Sequence, residues 1–243
     1  MVEPDLAAIW VYLSATPLLG LTITLIAYSL AYRLYIYANS NPLLNPVLTS
    51  VIVLIILLVL TNTSYETYFA GGQFVHFLLG PATVALAIPL YQQCSKLRQL
   101  FIPVAITVIS GVIIGAFSSI GIAWFLGASL QTQLSLSPKS VTAPVAMGIS
   151  EQIGGLPSLT AVLVVVTGII GATIGTKLFD LMRIKDDSVK GIAMGITAHG
   201  IGTARAFQVS PEMGAFSGLA MALSAFASAV ILPWLLNLIG MLN

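Results

Sequence analysis

The sequence predicts an all-α polytopic membrane protein, and three observations lead there. Of its 243 residues, 58% are hydrophobic and only 7% carry a charge. With a mean hydropathy of +1.01, the chain has too few polar side chains to clothe a soluble globule of that length. Uncharged stretches recur at 16–32, 45–63 and 101–138, each long enough to cross a hydrocarbon core of roughly 30 Å as a helix. The run "VLTSVIVLIILLVL" at 47–60 is continuously apolar, whereas a barrel strand alternates with period two. Lipid offers the backbone no hydrogen-bond partners, so helices are the spanning structure that remains. A net charge of +1 provides no basic face for nucleic acid, and the single cysteine, Cys94, rules out an internal disulfide or a cysteine metal cluster. Two histidines and scattered carboxylates have no metal-ligand spacing.

The N-terminal "MVEPDLAAIW" lacks a basic start and a small-residue cleavage site, so no removable leader is expected. Residues 6–13 read as a short interfacial helix with Trp10 and Tyr12 at headgroup level. Seven spans follow in a single membrane domain, 1–243: 15–37, 43–62, 71–93, 100–127, 157–181, 189–208 and 211–240. Segment 138–155 is different. It starts at Pro138, contains Pro144, carries Lys139 and Glu151 and ends in Gly154–Gly155, so it suits a re-entrant half-helix better than a crossing. Charge supports this: Arg33, Lys96 with Arg98, and Arg183 with Lys185 and Lys190 share the cytoplasmic side only if 138–155 enters and leaves by one face. The N-terminus, with Glu3 and Asp5, is then expected outside and the C-terminus inside.

Spans 43–127 and 157–240 run as inverted triplets, and in each the middle member is interrupted, by Gly80–Pro81 and Pro89 in one and by Gly191, Gly195, Gly200 and Gly202 in the other. Paired discontinuous helices in inverted halves point to a transporter's substrate site near the midplane. The GxxxG pairs Gly111/Gly115 and Gly171/Gly175 read instead as helix-packing positions.

Ionisable groups inside a bundle are costly and normally face a cavity or a partner. Arg205 reads either as a bidentate clamp on a carboxylate or as a side chain snorkelling to the interface. His199 lies six residues earlier, and a break at Gly200 or Gly202 would bring both to one cavity, where it could donate to substrate or carry a proton; its alternative is a buried histidine bonded to a backbone carbonyl. Lys139 opens the re-entrant helix, whose dipole already favours an anion, and Ser140 and Thr142 add hydroxyl donors. Gly200, Thr203, Gly80 and Thr83 complete the candidate substrate site at the two breaks. Glu151 could pair with Lys139 or Arg205, carry a proton, or cap the Gly154–Gly155 turn. No cofactor is expected. Coupling could be to protons, through His199 or Glu151, or to sodium held by carbonyls at a break.

The motifs "NPLLNPVL", "GPATVALAIPLYQQ", "LSPKSVTAPVAMGISEQIGGLPSLTAV", "GIAMGITAHGIGTARAF" and "EMGAFSGLAMALSAFASAVILP", in this order from Leu43 to Pro233, closely resemble the LrgB/CidB family of membrane proteins. The resemblance implies a plasma-membrane carrier of small monocarboxylates of the pyruvate, glycolate, glycerate or lactate class, since the family includes a plastid glycolate/glycerate carrier. It also implies a separate LrgA/CidA-like membrane partner. A homodimer or higher homo-oligomer within the lipid is expected from the glycine-rich helix faces. The family's older description supplies the rival: a holin-like or antiholin-like protein modulating murein hydrolase activity and lysis. A pore would line itself with one amphipathic helix and has no need of two broken helices holding single cations. An enzyme pairing His199 with Ser140, Ser150 or Ser217 has no motif behind it.

Overall fold

A computed structural model describes residues 17–38, 44–78, 81, 84–85 and 87–242, and every regular element among them is a helix. Among the described residues, four helical stretches are long and apolar enough to cross a membrane: Leu18–Tyr37, Arg98–Phe125, Pro157–Leu181 and Pro211–Leu238. The chain forms two compact units, Met1–Ala85 and Leu86–Asn243.

The first unit holds α1 (Pro17–Tyr37), α2 (Pro46–Leu60) and α3 (Tyr65–Phe77). The Asn45 side chain caps α2 by accepting from Val47 N at 2.9 Å, and Pro46 occupies the first turn, where a missing N–H costs nothing. Between α1 and α3, the Thr24 and Tyr68 hydroxyls bond at 2.7 Å. The interfacial helix expected at 6–13 lies outside the described residues. So do Gly80 and Thr83, and the expected span 71–93 corresponds to α3 and, in the second unit, to α4 (Ala87–Gln92).

The second unit continues with α5 (Cys94–Phe125), α6 (Leu130–Leu136), α7 (Ala143–Gln152), α8 (Pro157–Leu181), α9 (Asp187–Val209) and α10 (Pro211–Leu238). Helix α8 has the residue bounds expected from the sequence. Helix α9 does not do what its length suggests. Inside it His199 takes φ 41° and ψ −133°, outside the helical region. A straight helix would separate Met194 from Gly202 by about 12 Å and Asp187 from Ser210 by about 34 Å. Instead a Cβ on Gly202 would lie 2.9 Å from the Met194 side chain, and the Ser210 hydroxyl donates to Asp187 at 2.7 Å. The chain therefore reverses at His199, making 187–209 a helical hairpin, here hairpin B, with both feet at one end of the unit.

A second hairpin, A, is made by α6, the turn 137–142 and α7. Its feet are tied to the start of α8 by a fully buried hydroxyl network. Ser135 Oγ accepts from Leu156 N at 2.7 Å, and the Thr160 hydroxyl lies 2.7 Å from Ser150 Oγ and 2.9 Å from the Ser135 carbonyl. Gly154, at φ 83°, makes the left-handed turn after α7 that glycine tolerates without a Cβ clash. At ten residues, α7 is about 15 Å long, half of a crossing.

Two corrections follow. Residues 189–208 are not a crossing, because 187–198 and 200–209 run in opposite directions. The end of α10 is consequently placed at the opposite end of the unit from the basic loop 182–190: Trp234, Asn237 and Met241 line a cavity of about 840 Å³ with Gln131, Gln152 and Gly154 at the feet of hairpin A. The expected C-terminus beside the basic loops rested on the missing crossing.

Candidate functional site

Hairpin A carries Lys139, Ser140 and Thr142 at its tip. The tip reaches the middle of α5, where Ser140 Oγ faces Gly115, 3.8 Å from where a Cβ would stand. Lys139 Nζ donates to Ser140 Oγ at 3.2 Å, and among the described residues no carboxylate pairs with it. Thr142 precedes α7 without using its side chain as a cap. The Lys139 ammonium and the Ser140 hydroxyl thus stand together a few residues before the first N–H groups of α7, a set of donor types that suits an anion.

Hairpin B carries His199 at its tip, 4% exposed. The ring lies against α8 at Gly168, where a Cβ would be 2.7 Å from Cε1. Its Nε2 is 3.0 Å from the Val164 carbonyl, which can only accept, so Nε2 carries the hydrogen. Positive φ at a non-glycine residue costs about 1–3 kcal/mol, and the surroundings hold it in place. The Thr203 hydroxyl donates to the His199 carbonyl at 2.8 Å and lies 2.9 Å from Ser217 Oγ on α10. Gly200, beside the turn, has only Met221 Sδ near its missing Cβ, at 3.9 Å. The break is at His199 itself, where the sequence had pointed to Gly200 or Gly202.

Both tips meet the GxxxG face of α5. One turn before hairpin B's tip, Ile196 fills the notch at Gly111, with Cγ2 2.8 Å from where a Cβ would be; Ser140 sits at Gly115, about 6 Å further along the axis. Val141 at tip A and Val164, whose carbonyl holds His199, belong to one buried cluster with Val112 and Ala116 of α5. Gly111 and Gly115 were legible only as packing positions; the seats they give to two hairpins were not. Gly171 and Gly175 do pack, against Ala198 and Met194.

Two candidates stand away from the tips. Arg205 is on the returning arm of hairpin B, about 9 Å from the tip towards the feet, with Nη1 donating to Gln208 Oε1 at 3.0 Å. Glu151 is exposed at the foot of hairpin A, about 13 Å along α7 from Thr142. Its backbone carbonyl accepts from Gly154 N at 3.3 Å.

At the feet of hairpin B, Lys96 of α5 bonds Asp186 at 3.3 Å and Glu212 of α10 at 2.6 Å. Asp186 also caps α9, accepting from Ser188 Oγ at 2.5 Å and Ser188 N at 2.8 Å. The Ser188 hydroxyl, then the capping N–H groups and Lys96, hold the Asp186 carboxyl down at about 2, from 3.8. A depressed carboxylate contributes stability above its unfolded value and loses it as pH falls through its folded one. Asp186 therefore adds no pH dependence to thermal unfolding above about pH 5. Acid unfolding between roughly pH 4 and 2 should flatten in Asp186→Asn, as followed by melting temperature in detergent.

Comparison with known proteins agrees with this polytopic helical chain. The family model described as "LrgB-like family" matches residues 24–238. The chain is 39% identical over 180 residues to "Uncharacterized protein YwbG" of Bacillus subtilis (strain 168), covering 74% of this chain and 80% of the relative. To "Holin-like protein CidB" of Staphylococcus epidermidis it is 34% identical over 227 residues, 93% of this chain and 98% of the relative. To "Antiholin-like protein LrgB" of Bacillus mycoides (strain KBAB4) it is 28% identical over 229 residues, again 93% and 98%. No solved structure matches the chain.

Proposed function

Because the chain belongs to the LrgB-like family and is a multi-pass membrane protein, we propose that it carries a small organic anion, of the monocarboxylate class, across the plasma membrane. The observation that carries this reading is Lys139: a largely buried ammonium at mid-helix depth, paired with a hydroxyl and, among the described residues, with no carboxylate. Such a charge is expensive in a bilayer unless an anion answers it. The two hairpins are read as re-entrant from opposite faces. Helix α5 with hairpin A, and α8 with hairpin B, then form an inverted pair of the kind that holds substrates at the midplane. This reading replaces the expected repeats 43–127 and 157–240 with 94–152 and 157–209. With the basic loops cytoplasmic, hairpin A and the C-terminus face outside. His199 is the proton-coupling candidate, and an LrgA/CidA-like protein or a second copy is the expected membrane partner.

The relatives' names favour a second reading, a holin-like or antiholin-like protein acting on lysis, and on names alone it is the better supported. Proteoliposomes separate the two. A carrier gives saturable uptake of labelled pyruvate or glycolate, competed by the unlabelled acid, from the chain alone or with an LrgA-like partner. A holin-like pore gives leakage of unrelated dyes without saturation, and that result would displace the carrier.

A further inference from the structure

A cleft of about 230 Å³ separates α5 from the first arm of hairpin B. Its α5 wall runs from Lys96 to Thr107, about 16 Å along the helix, starting at the basic feet. Its hairpin wall includes Asp186, Val189 and Ile192. The inner end of that α5 wall is one turn short of Gly111, where Ile196 is seated, and two turns short of Gly115, where Ser140 is seated. Across the mouth lies the Lys96 bridge to Asp186 and Glu212.

We infer that this cleft is the cytoplasmic access path to the Lys139–Ser140 site, stoppered at depth by Ile196 in the Gly111 notch and clasped at the mouth by Lys96. The inference rests on the carrier reading for its cargo and on geometry alone for the path. Two asymmetries place the moving seam here. Hairpin B is fastened to α10 backbone to backbone, with Gly191 against the Met213 carbonyl and Gly195 against the Ser217 carbonyl, and to α8 through His199, Gly171 and Gly175. Against α5, by contrast, it packs through side chains, Ile196 in the Gly111 notch and Ile192 and Ile196 in a buried cluster with Val104 and Val108, beside the open cleft. Hairpin A is held by hydroxyls that are fully buried at Ser135, Ser150 and Thr160, whereas the Lys96 clasp is partly solvated, with side chains 35% exposed for Lys96 and 51% for Asp186. Solvated ion pairs add little stability and weaken with salt, so they suit a closure that must open repeatedly.

The test measures accessibility, so it does not depend on knowing the cargo. In a Cys94→Ser background, Ser140→Cys is exposed to a membrane-impermeant maleimide added to the cytoplasmic face of oriented vesicles. Ile196→Ala should raise the labelling rate roughly tenfold, because trimming the stopper destabilises only the closed state. Lys96→Gln should raise it less, and 0.5 M salt should mimic Lys96→Gln. Ile196→Val, which keeps the fold under milder trimming, should shift it in the same direction, and Val162→Ala, on an exposed face of α8, should not. Unchanged labelling in both Ile196 variants, or a rise confined to the opposite face, overturns the path. Increased labelling without uptake of any monocarboxylate leaves the path standing and sinks the carrier reading instead.

Discussion

If the chain is the proposed carrier, Lys139→Met should weaken saturable anion uptake by roughly 30- to 150-fold in affinity while leaving the protein folded and at least as stable. The two halves of that expectation come from one physical fact. A charged hydrogen bond to an anion is worth about 2–3 kcal/mol in a water-poor site, which corresponds to roughly 30- to 150-fold in Kd. The same ammonium in the unliganded protein has Ser140 Oγ at 3.2 Å as its partner, a poor return for its desolvation. Replacing a buried charge by an apolar side chain of similar length is commonly neutral or stabilising. If Lys139 instead held the fold together, melting temperature and uptake would fall together. Lys139→Arg, which keeps charge but demands more room beside Gly115, should retain measurable uptake at weaker affinity. Initial rates against concentration, with thermal unfolding on the same preparations, decide between the two roles.

Gly195→Ala should cost about 2–4 kcal/mol, a large share of a typical stability margin, and eliminate most of the monodisperse protein on size-exclusion chromatography. A Cβ at Gly195 would collide with the Ser217 carbonyl, a backbone atom that cannot rotate away. Relief requires moving the whole first arm off α10, and with it the Thr203–Ser217 bond. Gly200→Ala, five residues along the same hairpin, meets nothing closer than Met221 Sδ at 3.9 Å and should melt within about 1 kcal/mol of the parent, or slightly above it. Equal damage from both substitutions would mean that glycine is needed for backbone freedom throughout the hairpin, and the close approach to α10 would lose its standing.

How far the sequence could be read is set by where its signals are concentrated. Helix α8 was legible to the residue because Pro157 marks its start and an uninterrupted apolar run of crossing length follows. The short α7 was legible inside 138–155 because two prolines, a lysine and a glycine pair broke the pattern, and because the charge of the following loop required an even number of passes; α6, the other arm of hairpin A, was not expected. Hairpin B hid for matching reasons. At 23 residues it has the length of a crossing, and its reversal is carried by one residue, His199, whose backbone geometry no propensity foretells. No Lys or Arg follows Arg205, so the charge rule had nothing downstream to contradict an extra crossing. A clue was present in the capping residues: Asp186 and Ser210 each begin a helix, and two such starts 24 residues apart fit a hairpin as well as a span. The tips themselves were partly legible. Lys139, Ser140 and His199 stand out as polar groups among apolar ones, but their seats at Gly115 and Gly168 depend on which helices become neighbours, which spacing alone does not encode.

The ten-residue length of α7 also bears on how the protein is made. A helix of about 15 Å with a lysine beside its start cannot settle in lipid as an independent stage of insertion, since neither its length nor its charge is tolerated there. Its anchor is Thr160, bonded to Ser150, and the other arm of hairpin A is held at Ser135 by Leu156 and Thr160, all of them on the far side of α7 in the chain. If hairpin A is re-entrant as proposed, it is expected to wait at the membrane surface during synthesis until α8 has been threaded, and only then to enter beside α5. Biogenesis of this unit would then be ordered from outside in, with the long helices building a walled slot first and the polar centre arriving last.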